Sequence, residues 1–277
     1  MDMKTNNALD PAQLPDLRDA LISRGISRLF THQALAAEAV MGGQNVVVST
    51  PTASGKTLCY NLPVLQTLLR DPSARALYLF PTKALAQDQL AELHGLLSAI
   101  DDRQSPHPAT YDGDTPRSER PRVRQRSRLL ITNPDMLHTG ILPHHTRWVD
   151  LFSNLRYVVL DELHAYRGVF GSHVANVLRR LRRICAFHGS NLQFICSSAT
   201  IGNAQEHAQR LVDDQVTLIN DDGAPKGEKH FLLYNPPVVD QALGIRRSYV
   251  LEARSVAGRL LDMDCLLYTS PSPRDLR

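Results

Sequence analysis

Short runs of aliphatic and β-branched residues recur along this chain, and most are followed by apolar positions at helical spacing. Asn45-Val-Val-Val-Ser49, Arg75-Ala-Leu-Tyr-Leu-Phe80, Leu129-Leu-Ile-Thr132, Leu155-Arg-Tyr-Val-Val-Leu160 and Gln193-Phe-Ile-Cys-Ser197 are mainly apolar. Hydrophobicity without strict alternation marks strands covered on both faces, as in a parallel sheet. The intervening segments predict helices. Asp16 to Arg24 gives a short one ended by Gly25, and Thr31 is placed to cap a second, through Ala34, Ala37 and Val40 to Gly42-Gly43. Others run from Lys56 to about Leu69 and from Thr82 to Leu97, with Leu85, Leu90, Leu93 and Leu97 near helical spacing. Asn133-Pro134 opens a further helix, since proline suits a first turn. Phe170, Val174, Val177, Leu178, Leu181, Ile184 and Cys185 mark one face of a long one. The alternation predicts an α/β domain with a mostly parallel sheet flanked by helices. Asp101 to Arg128 shows neither pattern and reads as a polar segment.

Composition changes this picture little. The 277 residues suffice for one large α/β domain plus a piece of something else, and a hydrophobic fraction of 43% supports a real core. A net charge of +3 is too small to argue for nucleic acid by itself. The four cysteines include no CxxC pair, which suggests neither a disulfide framework nor a zinc site and fits a reducing setting. No apolar stretch approaches the roughly 18 residues that span a bilayer. The first residues lack the apolar core of a signal peptide. No membrane partner is therefore expected, and the cytoplasm is the expected location. From about Gly223 glycine, proline and lysine accumulate, as in a linker leaving a domain. Cys265 to Asp275 is what in-frame translation of a transposon-type sequencing adapter would give, so 265–277 is set aside as an artefact and the reading frame is expected to be cut short near Asp264. The expected division is a lead-in helix at 1–28, the main domain at 29–222 and a linker at 223–264.

Two runs carry chemistry. Thr50-Pro-Thr-Ala-Ser-Gly-Lys-Thr57 joins a buried strand to a helix, the setting of a phosphate loop. Backbone N–H groups of Thr52, Ala53, Ser54 and Gly55 and the helix N-terminus would face phosphate oxygens. Lys56 is placed to reach the β- and γ-phosphates and Thr57 to set its hydroxyl on magnesium. Thr50 stands where the pattern GxxxxGK[ST] has its first glycine, while the closing Gly55-Lys-Thr57 is intact. Asp161-Glu-Leu-His164 puts adjacent carboxylates at the carboxyl end of another buried strand, where open α/β sheets bind ligands. Asp161 would hold magnesium, and Glu162 would polarise the attacking water as general base. Together the runs predict a site for a nucleoside triphosphate and its magnesium. Taken alone, His164 reads as a packing or capping residue. Arg117, Arg120, Arg122, Arg124, Arg126 and Arg128 fit either a nucleic-acid face or a solvated, mobile loop. Arg179, Arg180, Arg182 and Arg183 fall mostly off the apolar face of their helix and read as solvated.

The motifs also form an ordered set: Gln33 in Phe30-Thr-His-Gln33, Thr50 to Thr57, Pro81-Thr-Lys-Ala-Leu-Ala-Gln-Asp-Gln89, Thr132-Asn-Pro-Asp135, Asp161 to His164, and Ser198-Ala-Thr200. In this order they resemble the first RecA-like domain, a P-loop NTPase fold, of a superfamily 2 DExH helicase. Asp112-Gly-Asp-Thr-Pro116, Asp161 to His173 and Tyr234-Asn-Pro-Pro237 are similar to the DEAD/DEAH-box DNA helicases of the mitomycin repair factor A and RecQ-four-like group. The resemblance covers about residues 14 to 264.

The resemblance implies roles position by position. Gln33 would read the adenine edge, making the nucleotide ATP, with Mg2+ alongside. His164, Ser198 and Thr200 would link nucleotide state to the nucleic-acid groove. Lys83, Gly113, Thr132 and Asn133 would lie near the backbone of one strand, giving salt-sensitive binding with little sequence preference. The implied partner is DNA, as single strand and duplex junction, with 3′ to 5′ translocation in DNA repair. An RNA helicase of the DEAD-box kind is the alternative, disfavoured by His164 and by Pro81-Thr-Lys-Ala. A nucleotide-gated binding module without unwinding is another, and a transporter ATPase fits poorly because no ABC-type signature occurs. The group's second RecA-like domain, with an arginine finger that contributes about 10³ to 10⁵ in turnover, and its zinc-binding region would follow Asp264. The chain by itself is thus expected to bind ATP weakly and hydrolyse it near background.

Overall fold

The apolar runs become strands because successive side chains find cover on opposite sides. In the computed structural model, which describes residues 16–98, 100–224 and 233–263, Val46 and Val48 enter one core and Val47 the other. Ala76 and Tyr78 oppose Leu77 and Leu79 in the same way, and Tyr157 and Val159 oppose Val158 and Leu160. This is the two-residue period of a strand, with both faces buried.

The elements up to residue 224 run α1 (Arg18–Ser23), α2 (Thr31–Met41), β1 (Val46–Ser49), α3 (Lys56–Arg70), β2 (Arg75–Leu79) and α4 (Lys83–Leu97). They continue with β3 (Ala109–Thr110), α5 (Arg120–Arg126), β4 (Leu129–Thr132), α6 (Pro134–Met136), α7 (Val149–Asn154) and β5 (Leu155–Leu160). Last come α8 (Gly168–Phe187), β6 (Gln193–Ser198), α9 (Ala204–Val212) and β7 (Thr217–Ile219). The strands form one seven-stranded sheet in the order β3-β4-β2-β5-β6-β1-β7, with every pairing parallel. All the strands therefore finish at one edge. Helices α1 to α4 pack on one face, and α7 to α9, with the turns at 137–142, pack on the other. The expected mostly parallel, helix-flanked sheet is what forms.

Several elements lie outside the sequence reading. β3 and β7 are short strands at the two ends of the sheet. Helix α5 buries no residue, so its sequence carries no periodicity. The arginine-rich stretch is therefore not simply a loop, and three of its arginines have partners within the domain, while Arg117, Arg122 and Arg126 are exposed. Arg120 donates to Thr115 O and Asp112 O and lies over the Tyr111 ring, while Arg124 lies over Trp148. Arg128 donates to the carbonyls of Leu68, Asp71 and Gln104. Phe170, expected on the buried face of α8, is 40% exposed, because the first turn of that helix precedes its entry into the core. Thr31 is the first residue of α2 rather than its cap. Phe30 holds the extended capping position, and the Gln33 side chain accepts its N–H.

The chain divides into two units at Pro225/Lys226. In the second, residues 233–263 carry an antiparallel pair, β8 (Val238–Asp240) and β9 (Ile245–Arg246), and helix α10 (Tyr249–Asp262). Residues 1–15 of the expected lead-in, 225–232 and 264 of the expected linker, and 265–277 lie outside the described residues. Among the described residues, no helix is long and apolar enough to cross a membrane.

Candidate functional site

Because the sheet is parallel, the loops after its strands share one rim, and the residues singled out by sequence stand along it in spatial order. Gly113 follows β3, Thr132 ends β4 with Asn133 just beyond it, and Lys83 follows β2. Asp161, Glu162 and His164 follow β5, Ser198 ends β6 with Thr200 beyond it, and the Thr50–Gly55 turn follows β1.

The turn after β1 is held open by its own backbone and by α2. Ala53 and Gly55 adopt left-handed φ values of 63° and 77°, and such conformations turn consecutive N–H groups inward as an anion-binding concavity. The Thr50 and Ser54 hydroxyls lie 2.7 Å apart. From α2, Gln33 donates through Nε2 to Gly55 O at 3.0 Å, and its Oε1 takes the Phe30 N–H at 2.9 Å. A Cβ at Gly55 would meet Gln33 Nε2 at 2.7 Å and push that amide off the turn, while the φ itself calls for glycine. Thr52 and Ala53 are exposed, whereas Ser54 is buried. Lys56 is half-buried and donates to Thr50 O at 2.9 Å and Pro51 O at 2.8 Å. Burial holds its ammonium below the ordinary lysine range, against the opposing fields of Glu162 and Asp161. The lysine and both carboxylates thus act on one another across a single site.

The acidic tip is equally fixed. Asp161 Oδ1 accepts the Glu162 N–H at 2.9 Å and Oδ2 accepts Tyr60 O–H at 3.1 Å. Glu162 has a left-handed φ of 51°, a conformation that costs a non-glycine residue on the order of 1 kcal/mol and clusters at functional sites. Its Oε2 lies 3.3 Å from His164 Nδ1, and the same nitrogen lies 3.4 Å from the Ala199 N–H. His164 can serve the carboxylate as donor or the Ser198-Ala-Thr200 loop as acceptor, one at a time. Ser198 Oγ is buried and has no partner among the described residues, and Thr200 is exposed.

Burial first, and Asp161 second, push the Glu162 carboxyl above the ordinary range. A carboxyl with a raised folded value binds its proton more tightly in the folded chain than in the unfolded one. Its charge therefore costs stability at neutral pH, and that cost vanishes below the unfolded value of about 4.3. Glu162→Gln should raise Tm near pH 7, with the gain fading as the pH drops through the carboxylate range. Melting curves of both proteins across that range check this, and a gain independent of pH would contradict it.

On the other half of the rim, Lys83 Nζ is 2.6 Å from Asp114 Oδ2, and both side chains are exposed. The Asp112 carboxylate accepts the N–H groups of Asp114 and Thr115 and so shapes the turn containing Gly113. The Thr132 hydroxyl donates to Tyr111 O, and Asn133 Oδ1 accepts the Met136 N–H. Those two side chains therefore fix the local backbone.

Sequence reasoning missed His32 and Tyr60. His32 is fully buried, with Nε2 at 2.9 Å from Ser54 O and Nδ1 at 3.4 Å from the Gly223 N–H. A carbonyl only accepts, so Nε2 carries the proton, and burial lowers the pKa of the ring. Its neighbour Gln33 was the available signal, since both residues grip the same turn. Tyr60, which meets Asp161, stands one helical turn after Thr57.

Known proteins share this arrangement. The sequence profile described as DEAD/DEAH box helicase matches residues 30–207. A Bacillus subtilis (strain 168) protein named uncharacterized ATP-dependent helicase YprA is 56% identical over 247 residues, covering 88% of this chain and 32% of its own length. The ATP-dependent helicase HRQ1 of Saccharomyces cerevisiae (strain ATCC 204508 / S288c) is 43% identical over 84% of this chain and 22% of its own. A crystal structure of the DUF1998 helicase MrfA bound to DNA and AMPPNP superimposes with a TM-score of 0.84 at 55% identity, over 89% of this chain and 34% of that one. The chain thus spans about a third or less of the length of these relatives. With its parallel sheet and ordered rim, it belongs to the DEAD/DEAH box helicase family, as a RecA-like domain.

Proposed function

We propose that this chain is the ATP-binding motor domain of an ATP-dependent DNA helicase that moves 3′ to 5′ and serves DNA repair in the cytoplasm. The observation that carries the reading is that α3, which Lys56 opens, holds the acidic tip through Tyr60, whose hydroxyl meets Asp161 Oδ2 at 3.1 Å. The inward N–H groups around Ala53 and Gly55 fit a polyphosphate, and the carboxylates beside the lysine fit its divalent cation. Thr57 and Asp161 would hold magnesium, with Thr52 to Lys56 around the phosphates and Gln33 toward the adenine. Bound magnesium supplies charge neutralisation on phosphate oxygens. Glu162, with its raised pKa, would accept the proton of the attacking water, and its left-handed backbone fixes the direction of that carboxylate. His164, Ser198 and Thr200 would pass the nucleotide state along the rim. Lys83, Gly113, Thr132 and Asn133 would meet one strand's backbone, the first through charge and the others through the turn they stabilise. Residues 29–222 would form the nucleotide-binding domain and 223–264 the connection onward. Full turnover would draw on a second RecA-like domain of the kind that supplies an arginine finger.

Two measurements test this. Titrating the chain with a fluorescent ATP analogue should show binding that strengthens with Mg2+, and absence of binding would remove the motor reading. ATP hydrolysis by the full-length protein should rise with single-stranded DNA and fall away as salt increases. Equal stimulation by RNA would remove the DNA assignment.

A further inference from the structure

Tyr60 stands beside both residues expected to hold magnesium. Its hydroxyl lies 3.1 Å from Asp161 Oδ2, and it stands one helical turn after Thr57 on α3. It also lies 3.1 Å from Gln89 Oε1 on α4, the helix that begins at Lys83. A phenol carries one hydrogen, so Asp161 and Gln89 compete for it. Behind Gln89, its Nε2 donates to Asn61 Oδ1 at 3.2 Å, and that oxygen also accepts Tyr78 O–H at 3.0 Å. All four side chains are buried, from Asn61 and Tyr78 at 0% to Gln89 at 5% exposed.

The Tyr78 hydrogen needs the Asn61 oxygen, so neither amide can turn over, and the Asn61 Nδ2 donor stays without an acceptor among the described residues. The hydrogen that can move is that of Tyr60, which points either to Gln89 Oε1 or to Asp161 Oδ2. The acceptor strength of the Asp161 carboxylate selects between the two. A divalent cation on Asp161 draws its electrons away and weakens it as an acceptor, which favours the direction toward Gln89.

We propose that Tyr60 is a positioning residue that reports magnesium–nucleotide occupancy at Asp161 to helix α4, and hence to the Lys83 end of the rim, by redirecting one hydroxyl hydrogen. The inference rests on the nucleotide reading above. The coupling element is a two-state network of the kind that a claim of communication between sites requires.

The test reads the network rather than turnover. With 15N-labelled chain, the side-chain amide resonances of Gln89 and Asn61 are followed from free protein to saturation with magnesium and a non-hydrolysable ATP analogue. Saturation is checked independently by displacement of a fluorescent nucleotide. In the unmodified chain the Gln89 pair should shift on loading. In Tyr60→Phe, which keeps the ring and loses the hydroxyl, that shift should disappear at saturation. A Gln89 shift of equal size in the variant would overturn the proposal, as would an unmodified chain that saturates without any shift. Should Tyr60→Phe fail to fold, Gln89→Leu serves instead, with loss of the loading-dependent Asn61 shift as the expected result and its persistence as the contrary one. Failure of the unmodified chain to bind nucleotide at all would defeat the underlying reading, a result distinct from the others.

Discussion

Replacing Lys56 with alanine should lower the affinity for magnesium–nucleotide by on the order of 10²-fold or more, since removing one member of a desolvated, hydrogen-bonded charge pair costs about 2–5 kcal/mol. The fold should hardly notice. The ammonium donates to the Thr50 and Pro51 carbonyls, but burial already opposes its charge, so its removal relieves one cost while deleting two hydrogen bonds. Affinity and stability should therefore separate. Nucleotide titration and thermal melting of the same preparation check both halves. A variant that binds nucleotide normally would mean that the lysine does not face the phosphates. One that is globally unfolded would mean that its contacts with the turn are structural first.

The largest loss of stability is expected at Gly171, inside the segment that follows the acidic tip. A Cβ there would lie 2.3 Å from the carbonyl oxygen of Tyr166 and 2.7 Å from its carbon. The obstacle is backbone, and Tyr166 cannot yield easily. Its ring is fully buried and its hydroxyl donates to Leu79 O at 3.3 Å, at the end of a central strand. Gly171→Ala should cost about 2–3 kcal/mol by overpacking, a drop of roughly 4–12 °C in Tm for a domain of this size. Gly168→Ala is the matched control. That glycine has a φ of 60° but nothing within 4 Å of its would-be Cβ, so only the left-handed penalty of about 1–2 kcal/mol applies. Equal losses at the two positions would show that crowding against Tyr166 is not the cause.

The sheet was legible because β1, β2, β4, β5 and β6 are buried on both faces and so write themselves as apolar runs. β3 and β7 escaped because two or three residues at a sheet end carry no such run. Helix α5 escaped because it turns no residue into a core. The motif residues of the rim were legible because phosphate and metal chemistry demands particular side chains at close spacing within one loop. What completes the rim was not. His32 grips Ser54 from another element, and Tyr60 meets an aspartate far along the chain. Nothing in the local pattern of a buried polar residue names a partner that folding brings from elsewhere. The arginine-rich stretch was only half legible for a related reason. Arg120, Arg124 and Arg128 answer carbonyls and aromatic faces that only the assembled domain supplies.

The place of β1 between β6 and β7 has a consequence for how the domain is made. Val46 pairs with Ile195 on one side and Thr217 on the other, so neither ladder partner exists until nearly the whole domain has been synthesised. Pairings between such distant segments are slow to form, and an unpaired apolar strand is prone to aggregate while it waits. The strand that launches the lysine turn emerges first from the ribosome, yet it is among the last to be locked in place. Nucleotide binding then becomes a late marker of completed folding, and a nascent chain halted before Gln193 would hold the lysine turn on a strand with neither ladder partner.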